Sequence, residues 1–251
     1  MARIGPATTR LTRLRNAWRL LDVRALRLQR SHCPLCGANW LLTLDRSELG
    51  VRCLRCGASA VTQSLAAVVR EQFPDLSWVD AYEPSARGPL VAWLRRETRT
   101  LATSEYFEGV ERGRIERGIR CEDLQRLTYA DASFDLVTST EVFEHVQDDA
   151  AAFREVHRVL RPGGWTLFTV PLSANVDTVE RTRVAGGVLV HLHPPEFHGD
   201  AYRGNRVLCH RDYGSDITAR LAQAGFVDCA IARPQLAVSG HARPVVRARK
   251  P

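Results

Sequence analysis

The alternation of short apolar strands with amphipathic helices in the second half of the chain is the feature that most constrains its fold. Residues 134–140 and 165–170 are apolar runs of strand length, and residues 148–160 between them carry apolar side chains at helical spacing. Asp148 can cap this helix, and the Arg-Pro-Gly-Gly run at 161–164 can end it. Two strands joined by a helix are typical of a parallel sheet, so we predict an α/β domain.

The same alternation predicts the other elements of this domain, which we place at residues 77–251. We expect further strands at 78–82, 101–105, 118–121 and 226–232, and further helices at 89–98 and 215–224, with Ser215 as a cap. Residues 177–210 have the pattern of a hairpin insertion. The segment 61–76 before the domain is predicted to be a connecting helix that Pro74 ends.

Two Cys-x-x-Cys-Gly motifs lie ahead of this domain. Sixteen residues separate Cys36 of the first pair from Cys53 of the second, which is inside the spacing of a four-thiolate zinc site. We therefore predict that Cys33, Cys36, Cys53 and Cys56 bind Zn²⁺. With a hairpin between the pairs, residues 31–60 resemble a zinc ribbon. Four thiolates fill the coordination shell, so this zinc is predicted to be structural.

The amino-terminal segment is strongly basic. Residues 1–30 contain eight arginines and one acidic residue, which accounts for the whole formal charge of +7 and leaves the rest of the chain neutral. Apolar residues from Leu11 to Leu28 recur every three or four positions, so residues 1–30 are predicted to form an amphipathic helix. Its apolar stripe could pack on the protein's own body or form a homodimer. The alternative is that residues 1–60 bind RNA.

The composition limits the class of protein. Hydrophobic residues make up 45% of the chain, as in ordinary globular proteins, and no apolar run is long enough to span a bilayer. We therefore expect no integral membrane contact. Because the cysteines occur in metal-binding pairs and no secretory segment precedes them, a reducing, cytoplasmic location is expected.

Three motifs in the α/β domain carry a family resemblance. They are Leu-Thr-Tyr-Ala-Asp-Ala-Ser-Phe-Asp-Leu-Val at 127–137, Glu-Val-Phe-Glu-His at 141–145, and the run at 153–164 that ends in Pro-Gly-Gly. Together they resemble the class I S-adenosylmethionine-dependent methyltransferases of the type 11 group. The resemblance implies a doubly wound, mostly parallel sheet and binding of S-adenosylmethionine at the carboxyl ends of its strands.

The resemblance also implies a set of cofactor-binding residues. Glu105 falls where the family's acidic residue holds the ribose hydroxyls, and Asp123 falls where an acidic residue contacts the adenine. The first loop and the end of the fourth strand complete this set with Glu83, Ser85, Gly88 and Thr140. The first loop departs from the family pattern, because residues 83–89 contain one glycine where relatives usually have three. A protein that has kept the fold but lost catalysis is therefore an alternative.

The Glu-x-x-Glu-His motif contains the candidate catalytic residues. If the turn is helical, Glu141, Glu144 and His145 lie on one side of it. Two carboxylates and an imidazole suit Mg²⁺ or Mn²⁺, and His193 and His198 could complete such a second metal site. The motif is similar to the metal-binding turn of small-RNA 3′-end 2′-O-methyltransferases and of ubiquinone-pathway O-methyltransferases. Alternatively, the motif begins a helix and His145 acts as a base.

The expected function is O-methylation of a small-molecule or lipid-linked acceptor. A hydroxyl nucleophile must lose a proton, and His145, with Glu141 and Glu144 beside it, is the first candidate to accept that proton. One alternative is an rRNA or tRNA methyltransferase that holds RNA through residues 1–60. The other is a non-catalytic methyltransferase-like binding protein.

Overall fold

The computed structural model describes residues 24–199, 206–235 and 238–251. The described helices are α1 (Ala60–Gln72), α2 (Pro89–Glu97), α3 (Asp149–Val159) and α4 (Ile217–Gln223), with a short 3-10 turn at Phe143–His145. The described strands are β1 (Arg27–Arg30), β2 (Trp40–Thr43), β3 (Val51–Cys53), β4 (Asp80–Glu83), β5 (Thr100–Thr103), β6 (Ile115–Glu116), β7 (Ile119–Arg120), β8 (Phe134–Thr140), β9 (Leu160–Thr169), β10 (Val179–Glu180), β11 (Thr182–Ala185), β12 (Val188–His191), β13 (Phe197–Gly199), β14 (Arg206–Leu208), β15 (Arg211–Asp212), β16 (Val227–Ala232) and β17 (Val245–Arg249).

The first three strands form an antiparallel sheet, which together with its two cysteine turns we call the ribbon (residues 27–58). The prediction of a helix over 1–30 is wrong for residues 27–30. They form β1, whose Arg30 lies opposite Trp40 of β2, because pairing with β2 satisfies their backbone groups. Residues 24–26 are not helical either, and residues 1–23, with the contacts predicted for them, lie outside the described residues.

Helix α1 joins the ribbon to the main sheet. Ser59 caps it by accepting a hydrogen bond from the backbone N–H of Thr62 at 3.2 Å. Leu65 and Val69 of α1 are fully buried, in one apolar cluster with Leu41 of the ribbon and Leu136 of β8. Because these residues belong to one cluster, the ribbon and the main sheet share one core. Burial of each such side chain contributes roughly 1.5–3 kcal/mol to the stability of that core.

The main sheet has six strands in the order β16-β17-β9-β8-β4-β5. Strands β5, β4, β8 and β9 are parallel to one another, and β17 is antiparallel to both of its neighbours. The predicted α/β class with a mostly parallel sheet is therefore confirmed. The chain runs outward from β4 to β5 and then returns to place β8 on the other side of β4. At such a reversal a crevice opens at the carboxyl ends of the strands.

Three local predictions need correction. The predicted strand at 118–121 is reduced to the short hairpin of β6 and β7, with one bridge between Glu105 and Cys121. The residue that caps α4 is Asp216, not Ser215, and its carboxylate accepts from the Thr178 hydroxyl instead of the helix backbone. Strand β17 was not predicted, although it lies between β9 and β16 in the sheet.

The segment between β9 and α4 forms three small two-stranded sheets. The predicted insertion at 177–210 corresponds to most of this segment. One strand pair, β13 with β14, places His198 opposite Val207. The segment returns to the main sheet where the His210 N–H donates to the Glu144 carbonyl at 2.8 Å. Among the residues described, none of the helices has the length and apolar character needed to cross a membrane.

Candidate functional site

The crevice beside β4 and β8 begins with Glu83, the last residue of β4. Its side chain is buried and accepts hydrogen bonds from the hydroxyls of Thr138, at 2.6 Å, and of Ser85. Burial raises the pKa of Glu83 to about 8, and the neighbouring Glu105 carboxylate contributes to the rise. A positive charge that binds beside Glu83 would favour the ionised form of its carboxyl group.

The loop after β4 leads into α2 with little side-chain obstruction. Gly88 has φ +116°, a conformation that an L side chain rarely adopts, and Pro89 follows at the first helical position. Arg87 is exposed, so its side chain does not fill the loop. The single glycine therefore occupies the position where the backbone needs it.

Glu105 and Asp123 lie on the two loops next to this one. One Glu105 carboxylate oxygen accepts from the Ala86 N–H at 3.1 Å, which ties the loop after β5 to the loop after β4. Asp123 accepts from the backbone N–H of Gln125 at 2.9 Å and is half-buried. Its neighbour Glu122, which the sequence did not single out, is buried and accepts from Arg120, so it holds this loop in place.

The residues present fit S-adenosylmethionine. Glu83 and Glu105 place two carboxylates at adjacent strand ends, and their charge suits a ribose diol and an amino group. The hydroxyl oxygens of Ser139 and Thr140, at the end of β8, are buried and have no hydrogen-bond partner among the described residues. Buried polar groups without a partner are rare and are commonly satisfied by a ligand.

The Glu-x-x-Glu-His turn follows β8, but it is not one helical face. Glu141 has φ +53° and lies before the 3-10 turn. Its carboxylate pairs with Arg243, which also pairs with Glu48 of the ribbon at 2.7 Å. Burial, and then the nearby Glu144, raise the pKa of Glu141 to about 7.

Glu144 is the buried middle residue of the 3-10 turn. Its carboxylate oxygen Oε1 is 3.7 Å from Nε2 of His145 and 3.7 Å from Nδ1 of His198. The adjacent Glu144 carboxylate raises the pKa of His198. The Cys209 thiol adjoins both imidazoles, and burial raises its pKa to about 12. The structure thus gathers three of the predicted second-metal residues and adds a cysteine.

The position of the His145 ring determines its tautomer. Its Nδ1 lies 2.8 Å from the carbonyl oxygen of Leu208. A carbonyl can only accept, so Nδ1 carries the proton and Nε2 has a free lone pair. His193, by contrast, is exposed and does not belong to this group.

Two arginines support the turn that carries Glu144 and His145, and the sequence did not indicate either. Arg211 is only 4% exposed and donates to the backbone carbonyls of Phe143, Val146 and Gln147. Arg243 holds Glu141, as described above. Both arise from segments distant in sequence, so no local pattern marks them.

The four ribbon thiols also converge. The Sγ atoms of Cys33 and Cys56 are 3.7 Å apart, and those of Cys36 and Cys53 are 3.5 Å apart. In each turn a glycine with positive φ, Gly37 or Gly57, donates its N–H to the carbonyl of the first cysteine. All four cysteines are free of disulfides. A tetrahedral shell with Zn–S bonds of about 2.3 Å has sulfurs roughly 3.8 Å apart, so the donor set fits Zn²⁺.

Comparison with known proteins finds a family similarity over residues that include this site. Residues 87–168, about a third of the chain, match a family model described as a methyltransferase domain. The matched residues include α2, Glu105, Asp123 and the turn with Glu144. Over these residues the chain is similar to a methyltransferase domain, as the motifs at 127–164 predicted.

Two relatives and one solved structure illustrate this similarity. The chain is 40% identical over 84 residues to dimethylglycine N-methyltransferase of Parasynechococcus marenigrum, and the aligned region covers 33% of this chain and 29% of that protein. It is 31% identical over 84 residues to ubiquinone biosynthesis O-methyltransferase of Paracidovorax citrulli, and the aligned region covers 33% of this chain and 35% of that protein. The chain thus spans about a third of the length of these relatives. An S-adenosylmethionine-dependent methyltransferase from Mesorhizobium loti is 18% identical, with a TM-score of 0.49 over 74% of this chain and 98% of that one.

Proposed function

We propose that this protein is an S-adenosylmethionine-dependent methyltransferase that methylates an oxygen atom of a small-molecule acceptor. The observation that carries the proposal is the set of side chains at the strand reversal: Glu83 is buried at the end of β4, Glu105 accepts from the loop after β4, and the buried hydroxyl of Thr140 at the end of β8 has no partner among the described residues. The family match over residues 87–168 supports it.

Each carboxylate has a distinct role in holding the cofactor, which supplies an electrophilic methyl group. Glu105 accepts hydrogen bonds from the ribose hydroxyls, and Asp123 accepts from the adenine amino group. Glu83, whose carboxylate accepts from the Ser85 hydroxyl, would bind the positively charged amino group of the methionine portion, and Gly88 lies in the same loop. Since burial holds the pKa of Glu83 near 8, that charge favours the ionised carboxylate.

His145 removes the proton from the acceptor hydroxyl. Its Nε2 is the unprotonated nitrogen, because Nδ1–H donates to Leu208. The carboxylate of Glu144, 3.7 Å from Nε2, stabilises the imidazolium that forms. Transfer to a neutral amine would need this pair less, since a neutral amine is nucleophilic before it loses a proton, whereas a hydroxyl is a weak nucleophile until it does. The base therefore favours an oxygen acceptor.

Exposed apolar side chains on the β11–β14 segment, which also carries His198, favour an apolar acceptor over RNA. Val184, Val188, Leu192 and Phe197 are large apolar side chains of the β11–β14 segment, and each is at least 39% exposed. Such a group suits an aromatic or lipid-linked acceptor. RNA binding through residues 1–60 predicts basic and aromatic contacts on the ribbon instead. We also propose that the ribbon cysteines bind structural Zn²⁺.

Calorimetry with S-adenosylmethionine and S-adenosylhomocysteine tests the cofactor site. We expect binding in the micromolar to sub-millimolar range, about 5 to 8 kcal/mol. Asp123→Ala and Glu105→Ala should weaken it at least about tenfold. Asp131→Ala, an exposed acidic residue paired with Arg158, is the matched control and should bind like the parent. Absence of heat and of a thermal shift with both ligands would favour a non-catalytic binding protein.

Methyl transfer to a panel of phenols, quinols and structured RNA tests the acceptor. We expect radiolabelled methyl in the apolar hydroxyl compounds and its loss in His145→Ala. The pH–rate profile should lose its acidic limb in that variant. Label in RNA, dependent on residues 1–60, would instead support the RNA methyltransferase.

A further inference from the structure

The side chains of His145, His198 and Cys209 lie close enough together to hold a metal ion, and the Glu144 carboxylate lies beside the two imidazoles; we call these four residues the mixed cluster. One ring nitrogen from each histidine and the Cys209 sulfur lie within 4.8 Å of one another. Oε1 of Glu144 is 3.7 Å from a nitrogen of each histidine. In a tetrahedral shell with bonds of about 2.0–2.3 Å, neighbouring ligand atoms lie roughly 3.3–3.8 Å apart. The carboxylate–imidazole separations fall in that range.

Glu144 provides an independent indication of a ligand. The residue is only 1% exposed, and neither carboxylate oxygen has a hydrogen-bond partner among the described residues. Its separations of 3.7 Å from the two imidazoles are longer than hydrogen bonds. An ionised carboxylate buried in this way is costly unless a cation compensates it.

The surroundings of the cluster orient two of its members. The Nδ1–H of His145 donates to the Leu208 carbonyl, which leaves Nε2 directed at Glu144. Histidines that bind metals usually donate their other ring N–H to such a carbonyl or carboxylate. Cys209 follows Leu208 in the chain and is buried. One strand end therefore positions both a ligand and the acceptor that orients its neighbour.

We propose that the mixed cluster binds one divalent ion of the zinc, cobalt(II) or iron(II) class, and not Mg²⁺ or Mn²⁺. Thiolate and imidazole are soft to borderline donors, which these ions prefer, whereas Mg²⁺ and Mn²⁺ prefer oxygen. The sequence predicted Mg²⁺ or Mn²⁺ with Glu141 and His193 as ligands. In the structure the Glu141 carboxylate forms an ion pair with Arg243, and Cys209 belongs to the cluster.

The catalytic role of this ion rests on the proposed function. His145, His198 and Cys209 would be the three protein ligands, so one coordination position would stay open for the acceptor. The ion would then replace His145 in activating the acceptor by lowering the pKa of its hydroxyl, and the adjacent Glu144 carboxylate would accept the proton. The presence of the ion does not depend on methyl transfer, so metal content tests it separately.

Metal analysis of the full-length protein tests the proposal. After purification with a chelator and reconstitution with Zn²⁺, we expect two zinc ions per chain in the parent, one in the ribbon and one in the mixed cluster. Cys209→Ser and His198→Ala should each hold one. Cys229→Ser and His193→Ala are the matched controls, since each changes the same residue type outside the cluster, and both should hold two.

Cobalt(II) spectroscopy resolves the ligands. In the protein reconstituted with Co²⁺, Cys209→Ser should lower the intensity of the thiolate charge-transfer band, and Cys229→Ser should leave it unchanged. A thousandfold excess of Mg²⁺ should not displace the ion. Circular dichroism of each variant checks that the fold is kept.

Two results would overturn the proposal. One is a parent that holds a single zinc ion, with Cys209→Ser unchanged. The other is displacement of the cluster ion by Mg²⁺ or Mn²⁺ at similar concentration. If the cluster binds zinc while calorimetry shows no cofactor binding, the proposed function fails and the metal site stands.

Discussion

Replacing Glu83 by Gln should make the protein more stable at alkaline pH, provided that no cofactor is bound. Burial raises the pKa of Glu83 from 4.5 to about 8 in the folded protein. The folded state therefore binds this proton more tightly than the unfolded chain does. The stabilisation is fully present below about pH 4.5 and is lost as the pH rises through about 8.

The magnitude follows from the two pKa values. At about 1.4 kcal/mol for each pH unit between them, the folded state loses up to about 5 kcal/mol relative to acidic pH. The hydroxyls of Thr138 and Ser85 can still bond to the amide of a glutamine, so Glu83→Gln should keep the fold. The free energy of unfolding of the variant should exceed that of the parent by an amount that grows by up to about 1.4 kcal/mol per pH unit between pH 5.5 and 8.

Urea unfolding of both proteins at pH 5.5, 7 and 8.5 measures this difference. Asp131→Asn, at an exposed carboxylate, is the control and should show no such growth. A difference between Glu83→Gln and the parent that stays constant within about 0.5 kcal/mol over this range would refute the assignment of a raised pKa. Saturating S-adenosylmethionine should reverse the order of stability, because it favours the ionised carboxylate of the parent.

Three further substitutions test the ribbon and the supports of the turn. Cys53→Ser should remove one zinc ion per chain, and limited proteolysis should then cut within residues 27–58, which the parent protects. Arg211→Met should cost roughly 3–5 kcal/mol in urea unfolding, because it removes the donor to the backbone carbonyls of Phe143, Val146 and Gln147, each of which costs about 1–3 kcal/mol when left unpaired; a cost below about 1 kcal/mol would contradict this. Arg243→Leu should cost about 2 kcal/mol and should lose its effect when Glu48 and Glu141 are both replaced by Gln, a double substitution that serves as its control.

The helices and parallel strands could be predicted because each has its own period in the sequence. The strand Phe134–Thr140 has the predicted bounds, and Asp148 caps α3 as expected, through the Ala151 N–H at 2.9 Å. Strand β17 could not be predicted in the same way. Its arginines interrupt the apolar pattern, and Arg247 lies over the ring of Trp165, a contact that only the folded sheet provides.

The candidate site was predictable to the extent that its residues share a motif. Glu144 and His145 are adjacent in sequence, so their proximity could be expected. The approach of Cys209 depends on how the β13–β14 pair returns to the main sheet, and Arg243 comes from the loop before β17. Such contacts depend on long-range closure of the chain, which local spacing does not encode. For the same reason Glu141 was grouped with Glu144, although their carboxylates pair with different partners.

The link from Glu48 through Arg243 to Glu141 means that the ribbon is not a detachable appendage. The backbone N–H of Arg243 also donates to the Ser64 hydroxyl of α1, and Ser239 of the same loop donates to Gln29 of β1. A shortened protein that begins at residue 77 would lack Glu48, Ser64 and Gln29 at once. A chimera or a truncated protein that contains this domain should therefore also contain residues 27–72.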